Sequence, residues 1–397
     1  MSNDSKIAYR DPTFPGASRM PREEWDRAPW NRWSFQNVRD IVPTTKVRRG
    51  EGPPTPLPAS LQEIDAIAFE AEGCRSTIAD FLEANYTDGF LVLHRGKVVA
   101  ERYLNGMTAQ TPHLSQSMAK SIVGTVAGIL IDRGKIDPEA HVTHYLPELK
   151  GTAYRGATVQ HLLDMTSGVV FDETYDALDS HMAKLDAACG WKTAREPSWP
   201  KTVWELILTL TETECAHGSV FRYRSIESDV LAFVLQRASG MALAELVGCE
   251  LWAPMGAQDD ACFTVDPSGY ALASGGFNAT LSDYARFAML HLGGGEINGR
   301  KIVPPGWIET TRHGKGGLFG GVYRDVLPQG AYHNQFWIED PHRCAYMARG
   351  VFGQMIYIDP RSDFAAVVLS SWPEFVNAGR TRRVLAALHA IRDALGA

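Results

Sequence analysis

The chain is expected to fold as an α/β (α+β) protein, a helix-flanked antiparallel sheet domain with an all-helical domain inserted into it. Three observations lead there. Short apolar runs sit near residue 90 (Phe90-Leu91-Val92-Leu93 and Val98-Val99-Ala100) and again near the C-terminus (Phe336-Trp337-Ile338, 355–358 and 364–371). The stretch between them, 151–275, reads mostly as helices and loops. The chain closes on a helical stripe of Val384, Leu388, Ile391 and Leu395. The expected organisation is therefore an N-terminal arm at 1–60, a discontinuous α/β domain at 61–150 and 276–397, and a helical domain at 151–275.

Taken in order, the arm is rich in Pro, Arg and Trp and ends in Gly52-Pro53-Pro54-Thr55-Pro56. Prolines fix φ and remove donors, so it reads as extended, with Trp25, Trp30 and Trp33 pinning it to the body. A helix-like pattern runs from Leu61 to Leu82. The apolar runs on either side of Arg95-Gly96 predict a hairpin over 89–103. From Ser117 to Arg133 the apolar residues Ile122, Val123, Val126, Ile129 and Leu130 have helical spacing, with Gly134 as the stop. Strands 355–358 and 364–371 are joined around Asp359-Pro360-Arg361-Ser362-Asp363.

Composition narrows the function class. The 397 residues are 45% hydrophobic and 21% charged, without an apolar run long enough to span a bilayer. A net charge of −7 speaks against nucleic acid or an anionic membrane as partner. Six scattered cysteines without a C-x-x-C pair suit reduced thiols, and the polar first residues lack a secretory stretch. The expected location is the cytoplasm.

Ser117-Met118-Ala119-Lys120 carries the chemistry. A serine hydroxyl needs a base within hydrogen-bond reach, and two residues three apart on a helix share one face. Lysine, with an unperturbed pKa of ~10.4, becomes a base near neutrality only when burial or neighbouring positive charge lowers that value. S-x-x-K alone is weak, because Ser198-Trp199-Pro200-Lys201 matches too. Pro200 suits a first helical turn, so Ser198 reads as an N-cap, whereas Ser117 opens a long helix after a hairpin. A capping role for Ser117 stays open on the motif alone.

Around that motif, 113–121, Asp132-Arg133-Gly134-Lys135-Ile136-Asp137, 161–168 and Leu281-Ser282-Asp283-Tyr284-Ala285-Arg286-Phe287 follow one another in a family's order. Together they resemble the serine β-lactamases, penicillin-binding proteins and related esterases over about residues 90–372. Asn31-Arg32-Trp33, the 87–93 segment and Ser371-Trp372-Pro373 look most like the nylon-oligomer branch, the 6-aminohexanoate-dimer hydrolases. That resemblance implies a Ser–Lys–Tyr set of Ser117, Lys120 and Tyr223, the last in Phe221-Arg222-Tyr223-Arg224-Ser225 ahead of Ser228-Asp229. A phenol there can relay a proton between base, nucleophile and leaving group.

The family's Lys/His-Thr-Gly motif is absent, and Ala348-Arg349-Gly350-Val351 stands in its place. An oxyanion hole needs only backbone N–H groups, here those of Ser117 and Val351, so that role survives. The lost side chains grip the carboxylate of β-lactams, which puts antibiotic hydrolysis in doubt. On the substrate side the resemblance implies Tyr175, the amine-recognising Asp186, Trp191 five residues on, and Ser274.

Gly314-Lys315-Gly316-Gly317 lacks the G-K-[ST] and leading strand of a phosphate cradle and reads as a surface loop. The twelve histidines show no helical metal spacing. The expectation is acyl transfer to a small amide or ester substrate, without cofactor, metal, nucleic acid or membrane, and with a homodimer left open. The alternatives are a general carboxylesterase or β-lactamase/D-peptidase and, in another class, a non-catalytic sensor that acylates once.

Overall fold

The computed structural model describes residues 6–7, 20–314 and 316–396. Its main sheet has seven antiparallel strands: β1 (Thr87–His94), β2 (Lys97–Tyr103), β3 (Ala331–His333), β4 (Phe336–Asp340), β5 (Ala345–Gly350), β6 (Gln354–Asp359) and β7 (Phe364–Ser370). They lie in the order β3-β4-β5-β6-β7-β1-β2, so β7 from the end of the chain pairs with β1 from its first quarter. Strands β1, β6 and β7 are buried at every residue, as expected of central strands covered on both faces.

Helix α1 (Met118–Asp132) packs against β4, β5 and β6 on one side and helix α2 (Ser225–Ser239) on the other. Its residues from Met118 to Leu130 are all buried, which explains its apolar, small-residue sequence. It stops at Gly134, whose φ of +66° a side chain would disfavour. Helix α3 (Leu281–Leu292) lies against β1, β6 and β7. The last helix, α4 (Ala378–Gly396), buries Val384, Leu388 and Ile391, and its Arg392 reaches Asp359 of β6. Among the described residues no single helix is long and apolar enough to cross a membrane.

Three local expectations need correction. The pattern over 61–82 is not one helix: Ala68–Ala71 and Cys74–Thr77 form a hairpin, and a helix starts only at Ile78. The hairpin turns at Glu72 and Gly73, both at positive φ, and Thr77 with Asp80 makes a capping box that sets the helix start. Ser198 is exposed and caps nothing; Thr202 accepts from Glu205 N at the head of Val203–Thr209. Finally, the 151–275 stretch and the arm both contribute strands. Thr44–Val47, Ala261–Thr264, Phe277–Thr280 and Pro112–Leu114 pair antiparallel in that order as a second sheet.

Tertiary contacts hold the arm on the body. Trp25 is fully buried, meets Trp191 edge-on at 5.1 Å and donates its indole N–H to the Trp191 carbonyl. Further along, Asn31 donates to the Trp372 carbonyl at 2.7 Å and Arg32 pairs with Asp88 at 2.9 Å. Asp88 also faces His113 Nε2 at 3.1 Å and accepts from Ser371 Oγ at 2.7 Å and Asn105 Nδ2 at 2.8 Å.

Removing one partner from such a buried network strands the others. Asp88→Ala should lower unfolding free energy by about 3–5 kcal/mol, read as a fall in the urea midpoint. An unfolding free energy within about 1 kcal/mol of the parent would show that Arg32 and His113 are stabilised in some other way.

Candidate active site

The second sheet delivers the chain into α1. Strand Pro112–Leu114 ends where Ser115 N donates to the Phe277 carbonyl at 2.8 Å. Gln116 then turns through a left-handed φ of 48°, which costs a non-glycine residue on the order of 1 kcal/mol. Ser117 follows at the N-cap position, yet its side chain caps no helix N–H. Its hydroxyl is left for Lys120, whose Nζ donates to Ser117 Oγ at 2.9 Å. Here the structure separates the two S-x-x-K matches.

Lys120 is 1% exposed. Burial disfavours the ammonium and brings its pKa down to about 8, while Glu173 and Asp229 pull the other way. Its Nζ also donates to Ser225 Oγ at 3.2 Å and to the Ser274 carbonyl. Asp229 on α2 fixes that carbonyl by accepting from Ala273 N and Ser274 N at 3.0 and 3.2 Å. Ser274 thus enters the site through its backbone.

Tyr223 lies on the loop before α2, with the Lys120 ammonium 5.2 Å from its ring centroid and the indole of Trp337 stacked at 5.3 Å. Burial and the charge of Glu173 raise its pKa; a hydrogen bond with Ser117 acts in the opposite direction. Its N–H donates to Tyr323 Oη at 3.1 Å, which draws the stretch beyond Gly321 into the site.

Strand β5 closes the other side. A Cβ built on Gly350 would sit 2.6 Å from the Ser115 carbonyl oxygen and 3.0 Å from Ser117 N. Only glycine lets the strand end approach the nucleophile this closely, and Val351 follows directly on the cleft wall. The cleft has a volume of about 410 Å³, and Ser117, Tyr223, Tyr175, Gly350 and Val351 all line it.

Two of its lining residues carry charge, and sequence reasoning assigned neither to the site: Glu173 and Arg349. Glu173 accepts from Tyr175 Oη at 2.9 Å, Ser225 Oγ at 2.5 Å and Ser225 N at 2.8 Å. Arg349 lies over the Trp337 ring at 5.0 Å and donates to Thr381 Oγ1 at 3.3 Å; burial brings its pKa down to about 10. No local pattern marks either residue, because the walls come from segments some 170 residues apart.

The remaining expected residues stand back from the cleft. Asp186, on the helix His181–Ala188, does not line it. Burial raises its carboxyl pKa to about 7, against the pull of Lys192 and with a push from Asp26. Trp191 is buried, held between Trp25 and Thr264 Oγ1, to which its indole N–H donates at 3.1 Å.

A buried Ser–Lys pair at the head of a helix, with a tyrosine above it and a strand end beside it, is the arrangement of a class of serine hydrolase. Residues 75–391 match the Beta-lactamase family model, and the chain belongs to that family. Within it, the chain is 36% identical over 365 residues to the 6-aminohexanoate-dimer hydrolase of Paenarthrobacter ureafaciens, covering 91% of each chain. It is 28% identical over 201 residues to Esterase EstB of Burkholderia gladioli, covering 46% of this chain and 47% of that one. Among solved structures, a Bacillus anthracis protein provisionally described as a 6-aminohexanoate-dimer hydrolase superposes with a TM-score of 0.87 at 29% identity. That match covers 96% of this chain and 99% of the other.

The close approach at Gly350 makes a sharp prediction. Gly350→Ala should push Ser117 or the β5 end out of register and lower kcat about 100-fold, with the circular dichroism spectrum retained. A kcat within about threefold of the parent would show that this contact does not set the geometry.

Proposed function

We propose that the protein cleaves amide or ester bonds of small linear substrates such as the 6-aminohexanoate dimer, through an acyl-enzyme on Ser117. The observation that carries this reading is the buried Lys120 amine, 2.9 Å from Ser117 Oγ and with its pKa lowered to about 8. Neutral Lys120 takes the Ser117 proton as the oxygen attacks the carbonyl. The N–H groups of Ser117 and Val351 hold the oxyanion. Tyr223 passes the proton to the leaving amine or alcohol, and water then releases the acid by the same route in reverse.

The charges suit a linear substrate with an ammonium at one end and a carboxylate at the other. Glu173 makes one wall acidic, with Asp186 close enough behind for the two fields to act on each other. Arg349 stands on another wall, over the Trp337 ring and donating to Thr381 Oγ1. The 36% identity to a 6-aminohexanoate-dimer hydrolase supports the oligomer reading, and the likeness to an esterase supports activity on esters as well. Six unbridged cysteines are in keeping with a reducing cytoplasm.

Two measurements check this. A fluorophosphonate should label Ser117 and fail to label Ser117→Ala, and kcat/KM for p-nitrophenyl acetate should rise with pH to a plateau above about 8. The sign follows from the base: protonated Lys120 cannot accept, so activity falls about tenfold per pH unit below its pKa. A flat profile would remove Lys120 as the base, and an adduct on another residue would remove Ser117 as the nucleophile.

A further measurement concerns selectivity. Asp186→Ala should lower the ratio of kcat/KM for the 6-aminohexanoate dimer to that for the uncharged acetate about three- to tenfold, because Asp186 stands behind the wall and acts on the ammonium through its field rather than by contact. An unchanged ratio would take the ammonium-recognition role away from Asp186.

A further inference from the structure

Lys120 Nζ has two serine hydroxyls within reach, Ser117 Oγ at 2.9 Å and Ser225 Oγ at 3.2 Å, and one carbonyl, that of Ser274. A neutral amine offers two N–H donors and one lone pair. The carbonyl can only accept, so it takes one N–H. The second N–H and the lone pair must then be shared between the two serines. Distance alone does not decide which serine gives its proton to the base and which one receives a proton from it.

Glu173 breaks that symmetry. Its Oε1 accepts from Ser225 Oγ at 2.5 Å and its Oε2 from Ser225 N at 2.8 Å, so the carboxylate grips one residue through two atoms. Tyr175 Oη donates to the same Oε1 at 2.9 Å and holds the carboxylate in place. With its proton committed to Glu173, the Ser225 hydroxyl can only accept from Lys120.

We propose that Glu173 is a positioning residue: by accepting the hydrogen bond of the Ser225 hydroxyl it turns the lone pair of Lys120 towards Ser117. The inference rests on the reading of Lys120 as the base for Ser117. Without Glu173, the Ser225 hydroxyl would be free to donate to the amine and occupy its lone pair. The arrangement has an electrostatic cost, because the charge of Glu173 favours the ammonium form of Lys120. The titratable groups facing Lys120 are Glu173, Asp229 from α2 and the phenol of Tyr223.

A double-mutant cycle on p-nitrophenyl acetate hydrolysis tests this. Glu173→Ala should lower kcat about 10- to 100-fold, since a misdirected base forfeits part of its general-base contribution. Adding Ser225→Ala removes the competing donor, so the double variant should lose about tenfold less than the product of the two single losses. Glu173→Gln keeps a carbonyl to accept from Ser225 Oγ and removes the charge. It should lose less kcat than Glu173→Ala and move the acid limb of kcat/KM to lower pH. It also serves as the variant to score should Glu173→Ala not fold. Losses that simply multiply, or a Gln variant with the parental limb, would overturn the positioning role. Failure of the underlying reading looks different: Lys120→Ala would then retain parental activity whatever stands at 173.

Discussion

The burial of one amine is the constraint around which the rest is arranged. An ammonium in water titrates far too high to serve as a base, and burial corrects that only if the space around it is dry and its N–H groups still find acceptors. Helix α1 meets the first condition, enclosed between the sheet and α2 along nearly its whole length. Ser225 and the Ser274 carbonyl meet the second, the latter held by Asp229. Glu173 and Asp229 limit how far the pKa can fall. The value of about 8 is therefore a balance between dehydration and two nearby anions.

That balance needs walls that stay put, and the long-range polar contacts provide them. Asp88 ties together Arg32 of the arm, His113 ahead of the nucleophile and Ser371 at the end of β7. The arm goes on to the substrate side, where Trp25 backs Trp191 and Lys192 pairs with Asp26. A segment that looks peripheral in the chain thus braces both the strand leading to Ser117 and the helix bearing Asp186. Such a buried network is costly to break, because each partner left behind is a dehydrated polar group.

The cleft combines this rigid base with mostly apolar walls and separated charges. Trp337, Val322 and Val326 offer apolar surface for a methylene chain, while Glu173 and Arg349 stand on different segments without pairing to each other. Where the family motif places a lysine or histidine and a threonine, this chain has buried Ala348 and then Arg349 over Trp337. The backbone approach at Gly350 is kept while the side chains that surround it differ.

What the sequence determined by itself was what local periodicity and short spacing can encode. The hairpin near residue 90, the C-terminal strands, helix α1 with its glycine stop and the three-residue step from Ser117 to Lys120 were all legible, because each depends on neighbours in the chain. The order of motifs carried the family. Tertiary structure alone decided that Ser117 leaves its helix uncapped, that the arm supplies a strand, and that Asp186 stands behind the cleft while Glu173 and Arg349 face it. Those outcomes depend on which distant segments meet, and burial, charge and hydrogen-bond direction are set only once they do.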